Sequence, residues 1–297
     1  MINYGLRGSS QQPQDYLFGT AEKKLLNPLG DWSMYLPDEE IQKKREGEDT
    51  SACVTFSALN CLETLGNFHR QFINCADKFT ANMSGTIRGW GNYLRSVAES
   101  IRRDGVVDEV DYPFKEPYYE QVPQEVLQKA YKLPVVYEWL KRSEDREKQN
   151  KYLKEALQYA PIQVTVNAWG KPDKNGVYQQ RKNKDNNHAV MLYKIDKDGY
   201  YHIFDSYAPY RKKLAPDYNI GSPLQYYVGE FKVNLAKKFK NKLFMNKEKS
   251  NKVFYSNGEQ IAWIKNMKSL DFLADYWGKG EDIIQTSHHP IKHDLIF

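Results

Sequence analysis

The feature that most restricts the fold of this chain is a change of hydrophobic period near residue 160. Upstream, apolar residues recur at helical spacing. Phe56, Leu59, Leu62 and Phe68 lie in a stretch from Ala52 to about Phe72, and Leu94, Val97, Ala98 and Ile101 lie within Tyr93 to Arg103. The first stretch is apolar on more than one face, which marks a buried central helix. Gly105 stops the second. Val122 to Tyr159 is also expected to be helical, with one helix from near Pro123 and another over Glu147 to Tyr159, joined by a charged turn at Glu144 to Lys148. From Ile162 the period becomes two: Ile162, Val164 and Val166 alternate, and Ala189 to Ile195, Tyr200 to Phe204 and Tyr226 to Val233 read as further strands. Helices first and strands later define an α+β chain with segregated layers.

A chain of 297 residues is long enough for one substantial core and a small second unit. The net charge of +5 comes from dispersed lysines, densest over Lys237 to Lys242. No nucleic-acid-binding motif accompanies them, so a solvated face is expected and nucleic acid is not expected as a partner. Three cysteines give no disulfide framework and no zinc spacing; Cys61 and Cys75 read as free buried thiols, and neither metal nor cofactor is expected. His288, His289 and His293 read as a polar tail. The start of the sequence has no apolar core of a signal peptide, and no run of about 18 apolar residues predicts a membrane span.

Against this background Cys53 stands out. It precedes the apolar helical stretch directly, in Thr50-Ser51-Ala52-Cys53-Val54-Thr55-Phe56-Ser57-Ala58. Unsatisfied N–H groups and the positive end of the dipole at a helix start favour a thiolate, the nucleophilic form of cysteine. A nucleophilic thiol needs a base. His188 heads the apolar strand His188-Ala189-Val190-Met191-Leu192-Tyr193, and the next strand delivers Asp205 at its end. A carboxylate there would orient the imidazole through a hydrogen bond and favour its charged form. His69 and His202 lack such context and read as structural.

The order Cys, His, Asp, with the first two 135 residues apart, resembles that of the papain-like cysteine peptidases. Asp31-Trp32 resembles the Asp-Trp near the start of that fold, Phe56-Ser57-Ala58 is similar to the segment after its nucleophile, and Gly105 to Phe114, ending in Tyr112-Pro113-Phe114, resembles its Gly…Tyr-Pro-Tyr stretch. The resemblance covers roughly residues 31 to 210 and points to a divergent, bacterial or phage-type branch. It implies a two-lobed fold, helical lobe followed by antiparallel β lobe, with the cleft between them. It also implies acyl transfer by Cys53, with His188 as base and Asp205 in place of the family's Asn. The Cys53 backbone N–H is implied as one oxyanion donor. The family's second donor is a Gln shortly before the nucleophile; Gln42 takes that role here only if the residues after it loop out, and Glu46 and Glu48 in between would oppose an oxyanion. Gly85 and Gly91, in Ser84-Gly85-Thr86-Ile87-Arg88-Gly89-Trp90-Gly91, match the Gly-rich stretch that pairs with substrate backbone. The polar loop Lys171 to Asn187 is expected to border that groove.

Three regions are expected: an N-terminal arm over residues 1–30, a papain-like domain over 31–250, and a small C-terminal module or extension over 251–297. In the last, Val253-Phe254-Tyr255 and Ile261-Ala262-Trp263-Ile264 flank a Ser256-Asn257-Gly258 turn, and Leu270 to Trp277 reads as a short helix. The expected substrate is a peptide or protein, with an assembly partner engaged through the arm or the module, and a cytoplasmic or virion-associated setting. Three other readings compete: a cell-wall or leader-peptide hydrolase, a transglutaminase-like acyl transferase, and a catalytically impaired papain-like platform with a structural or binding role, for example in a phage particle.

Overall fold

The computed structural model describes residues 5–7, 25–42, 49–69, 71, 73–181 and 185–228, and the backbone of five short strands beyond them. Most of the arm, Glu46 and Glu48, residues 237–241, the expected helix at Leu270 to Trp277 and the three late histidines lie outside the described residues.

The first half is helical. Helix α1 spans Cys53–Phe68, α2 Asp77–Met83, α3 Leu94–Asp104 and α4 Gln124–Leu127. All but the last turn of α1 is buried, as its all-round apolar pattern requires, and two of its hydroxyls bond back to the helix's own carbonyls. Ser57 Oγ donates to the Cys53 carbonyl at 2.7 Å, and Thr64 Oγ1 donates to the Asn60 carbonyl at 2.7 Å. Gly105 closes α3 at φ 85°, where its missing Cβ leaves room for the Tyr131 backbone.

Strand β1 covers Val135–Trp139 and helix α5 Arg146–Leu157. The strand corrects the sequence expectation, which placed residues 135–139 in a helical segment. Val-Val-Tyr-Glu-Trp is a β-prone run, and it is held by antiparallel pairing with a strand some ninety residues downstream, Val135 opposite Val228. The other strands are β2 Ile162–Val166, β3 Val177–Tyr178, β4 His188–Ile195, β5 Tyr201–Phe204, β6 Arg211–Leu214 and β7 Gly221–Val228. They form a sheet ordered β1-β7-β2-β4-β5-β6-β3, antiparallel except for the β3–β6 pair. Two of these strands, β3 and β6, were not expected; β3 lies inside the predicted polar loop.

Strand β2 is buried along its whole length rather than on alternate residues. The reason is α1: Gln163 Nε2 donates to the Val54 carbonyl and to Ser57 Oγ, both at 2.8 Å, so the strand's polar side chains dock the first turn of the helix onto the sheet. Trp32 closes this core. It is fully buried, its Nε1 donates to the Leu157 carbonyl at 2.8 Å, and its neighbour Asp31 pairs with Lys194 at 2.6 Å. Phe114 of the Tyr-Pro-Phe segment meets Phe56 of α1 edge to face, centroids 5.0 Å apart.

By its internal contacts the chain divides into two units, residues 1–65 with 75–229, and residues 66–74 with 230–297. The second holds strands β8 Lys242–Met245, β9 Val253–Ser256, β10 Ile261–Ile264, β11 Ile283–Gln285 and β12 Leu295–Ile296, in the order β11-β8-β9-β10-β12. β9 and β10 pair antiparallel on either side of the Asn-Gly position.

Candidate active site

Cys53 is the first residue of α1, and the segment leading to it is tied down on every side. Ser51, at φ 61°, receives at its Oγ the N–H of Gly89 at 3.0 Å. Tyr119 donates its hydroxyl to the Thr50 carbonyl. Asp49 accepts the Ser51 N–H at 2.7 Å and the Tyr207 hydroxyl.

His188 and Asp205 meet because of sheet register. β4 and β5 run antiparallel with Met191 opposite Phe204. Continuing that register places Asp205 opposite Val190, on the face that His188 shares, one step along. The two side chains are buried, with His188 Nε2 2.6 Å from Asp205 Oδ1. Since an ionised carboxylate only accepts, Nε2 is the donor of this bond. Two aromatic rings flank the imidazole: Trp169 edge to face at 5.8 Å and Tyr207 tilted at 5.5 Å.

Cys53 reaches this pair through the backbone. The N–H of Ala189, the residue after His188, is directed at the Cys53 sulfur, as is that of Val54. These donors favour the thiolate, but burial dominates and pushes the thiol well above its ordinary range, with Asp49 and Asp205 acting in the same direction. The helix start alone predicts an activated thiolate; burial of the sulfur opposes that activation. Cys61 and Cys75 are buried thiols outside any disulfide, as expected.

Gln42 is drawn into the same cluster. Its Nε2 donates to Asp49 Oδ1 at 3.0 Å, its Oε1 accepts from Ser206 Oγ at 2.6 Å, and its carbonyl accepts from Thr50 Oγ1 at 2.6 Å. Residue 42 therefore sits beside residues 49 and 50. The glycines divide. Gly85 follows the end of α2 at φ 77°, with open space where a side chain would project, a helix-terminating position. Gly91 faces backbone: a Cβ there would lie 1.6 Å from the Gly5 carbonyl oxygen. The chain's own residues 5–7 run along this edge as a parallel bridge, Leu6 beside Asn92, with Asn92 N–H to the Gly5 carbonyl at 2.8 Å and Arg7 N–H to the Asn92 carbonyl at 2.9 Å. Gly5 also packs on the backbone of Ser51, two residues before the nucleophile. His202 pairs with Asp196 at 3.0 Å, away from this cluster.

Sequence reasoning missed Lys212. Its Nζ lies 2.6 Å from Asp205 Oδ2, on the opposite side of the carboxylate from His188. In Arg211-Lys212-Lys213-Leu214 it reads as part of a solvated basic run; the available signal was period two, which puts Lys212 on the face of Leu214 once the segment is read as a strand. Among the described residues no group of three or more His, Cys, Asp or Glu side chains is arranged to hold a metal ion.

No protein-family model matches the sequence, and no curated protein matches it either. Solved structures do. Xylellain, a cysteine protease from Xylella fastidiosa, superposes with a TM-score of 0.60 over 77% of this chain and 97% of its own, at 15% identity. Digestive procathepsin L 3 of Tenebrio molitor larval midgut gives 0.55 over 77% of each chain at 16% identity. Bromelain from Ananas comosus, in complex with the E64 inhibitor, gives 0.53 over 67% of this chain and 96% of its own at 18% identity. The α+β fold of this chain is therefore papain-like, as the motifs around Trp32, Cys53 and Tyr112 led one to expect.

Proposed function

We infer that the protein is a cysteine peptidase of a divergent bacterial or phage-type branch, cleaving peptide bonds with Cys53, His188 and Asp205. The observation that carries this reading is the 2.6 Å bond from His188 Nε2 to buried Asp205, made beside a helix-terminal sulfur that receives the Ala189 N–H. His188 Nδ1 takes the thiol proton as Sγ adds to the carbonyl carbon. The oxyanion so formed is met by the Cys53 N–H and by the Gln42 amide, which also donates to Asp49. Collapse expels the amine, which leaves with the proton from His188. Water then adds to the thioester with His188 again as base, releasing the acid and restoring the thiol. Because burial disfavours a resting thiolate, proton transfer accompanies attack instead of preceding it.

An epoxysuccinyl peptide tests this reading, the E64 complex of bromelain being the precedent for the fold. The expected result is one adduct at Cys53, lost in His188→Ala. Reaction no faster than that of a simple thiol would support a second reading, a catalytically impaired platform. That reading is favoured by the Asp49 carboxylate near the sulfur and by the occupied edge at Gly91.

A further inference from the structure

Asp205 is an anion buried beside a base, and the sheet supplies its counter-charge. β6 pairs with β5 so that Lys212 lies opposite Ile203, on the same face as Asp205 and His188. His188, Asp205 and Lys212 thus form a diagonal row across three strands. Lys212 is 4% exposed and Asp205 1%. The ammonium is saturated by Asp205 Oδ2 at 2.6 Å and by the carbonyls of Tyr207 and Pro209, both at 2.7 Å, and it lies 5.2 Å from the centre of the Trp169 ring that also meets His188. Three acceptors for three N–H groups leave it one orientation.

We propose that Lys212 is a positioning residue of the triad, neutralising Asp205 so that the Asp205–Lys212 pair presents His188 with a hydrogen-bond acceptor of almost no net charge. The inference rests on the triad reading above. A bare carboxylate would hold the imidazolium and hinder return of its proton to the leaving amine; a paired one orients the ring without trapping the charge. The Asp205–Lys212 pair then does what the neutral Asn of papain-like enzymes does. The other titratable groups around the row are Cys53 from the head of α1, Asp49 from the segment before it, Tyr178 from β3 and Tyr207 from the turn after β5. The shifts agree in direction. Burial would raise Asp205, yet His188 and Lys212 together hold it below the ordinary carboxylate range; burial pulls Lys212 down, against the pull of Asp205.

The test is a cycle of Lys212→Met, Asp205→Asn and the double variant, read by NMR titration of the His188 ring and by the pH profile of peptide hydrolysis. Lys212→Met leaves an unpaired carboxylate and should raise the His188 pKa by about one unit or more. Asp205→Asn turns an amide N–H₂ toward an unpaired ammonium and should lower it. The double variant carries neither charge and should return the titration to within a few tenths of a unit of the unaltered protein, and recover hydrolysis at least tenfold above either single variant. Singles and double sharing one titration would overturn the proposal. If a single variant does not fold, the double decides by itself: a His188 pKa displaced by a full unit or more rejects charge cancellation. The ring titration does not depend on catalysis, so a protein with the expected shifts and no hydrolysis would retain Lys212's role and lose the peptidase reading.

Discussion

At the scale of single residues, the site is a set of buried charges, each useful only through its partner. On the triad reading His188→Ala removes the base, and it should abolish hydrolysis, a loss of 10³-fold or more, with the fold retained. Progress curves alongside near-ultraviolet spectra would check this; appreciable turnover in the alanine variant would move the base elsewhere. For Asp205→Asn, orientation alone predicts substantial residual activity. The structure changes that expectation, because the new amide must also face Lys212, and partial activity is expected only once Lys212 is neutralised as well. The placement of Cys53, His188 and Asp205 was legible in the sequence because each stands at the junction of a turn and an apolar element, where a polar residue has a geometric reason to be. Lys212 was not: a lysine in a basic run is ordinarily solvated, and only strand pairing shows that its ammonium points inward.

At the scale of elements, the helical half encloses three carboxyls, Glu63 of α1, Asp77 of α2 and Glu109 after α3, whose neutral form burial favours. Burial first, then repulsion from Glu40, pushes Glu63 of α1 and Asp77 of α2 far above the usual range, and burial raises Glu109 to about 8. A carboxyl whose pKa is higher folded than unfolded contributes its stability fully below about pH 4, and that contribution is lost as pH rises through the folded value. Asp205 acts oppositely, contributing above about pH 4 and losing its contribution as pH falls through its lowered folded value. The thermal midpoint should therefore be higher at pH 5 than at pH 8, by roughly 5 °C or more. Glu109→Gln, which keeps an acceptor for the Phe114 N–H, should shrink that difference. Calorimetry at the two pH values checks both, and an unchanged difference in the glutamine variant would remove Glu109 from the explanation. The helices α1 and α3 could be read from periodicity because a helix closes its own backbone hydrogen bonds within four residues and so leaves its whole pattern in one local window. β1 could not, since its pairing with β7 is a contact between distant segments that no local window contains.

At the scale of the whole chain, the seven-stranded sheet is complete by Val228, while β8 pairs with β9 in the second sheet. A chain ending at Val228 should unfold cooperatively and keep its Cys53 chemistry; a broad, non-cooperative transition would show that the second unit is needed to finish the core of the first. The papain-like architecture was legible through motifs spread over residues 31–210. The bridge of residues 5–7 to Asn92 has a kinetic consequence for any peptide that must use the Gly91 edge. A strand on the same chain is a competitor at an effective concentration of about a millimolar, and diluting the protein does not weaken it. If it is seated about nine-tenths of the time, it raises the apparent KM roughly tenfold and leaves kcat alone. Removal of residues 1–7 should accordingly lower KM by about that factor, and an unaltered KM would mean that peptides enter by another edge.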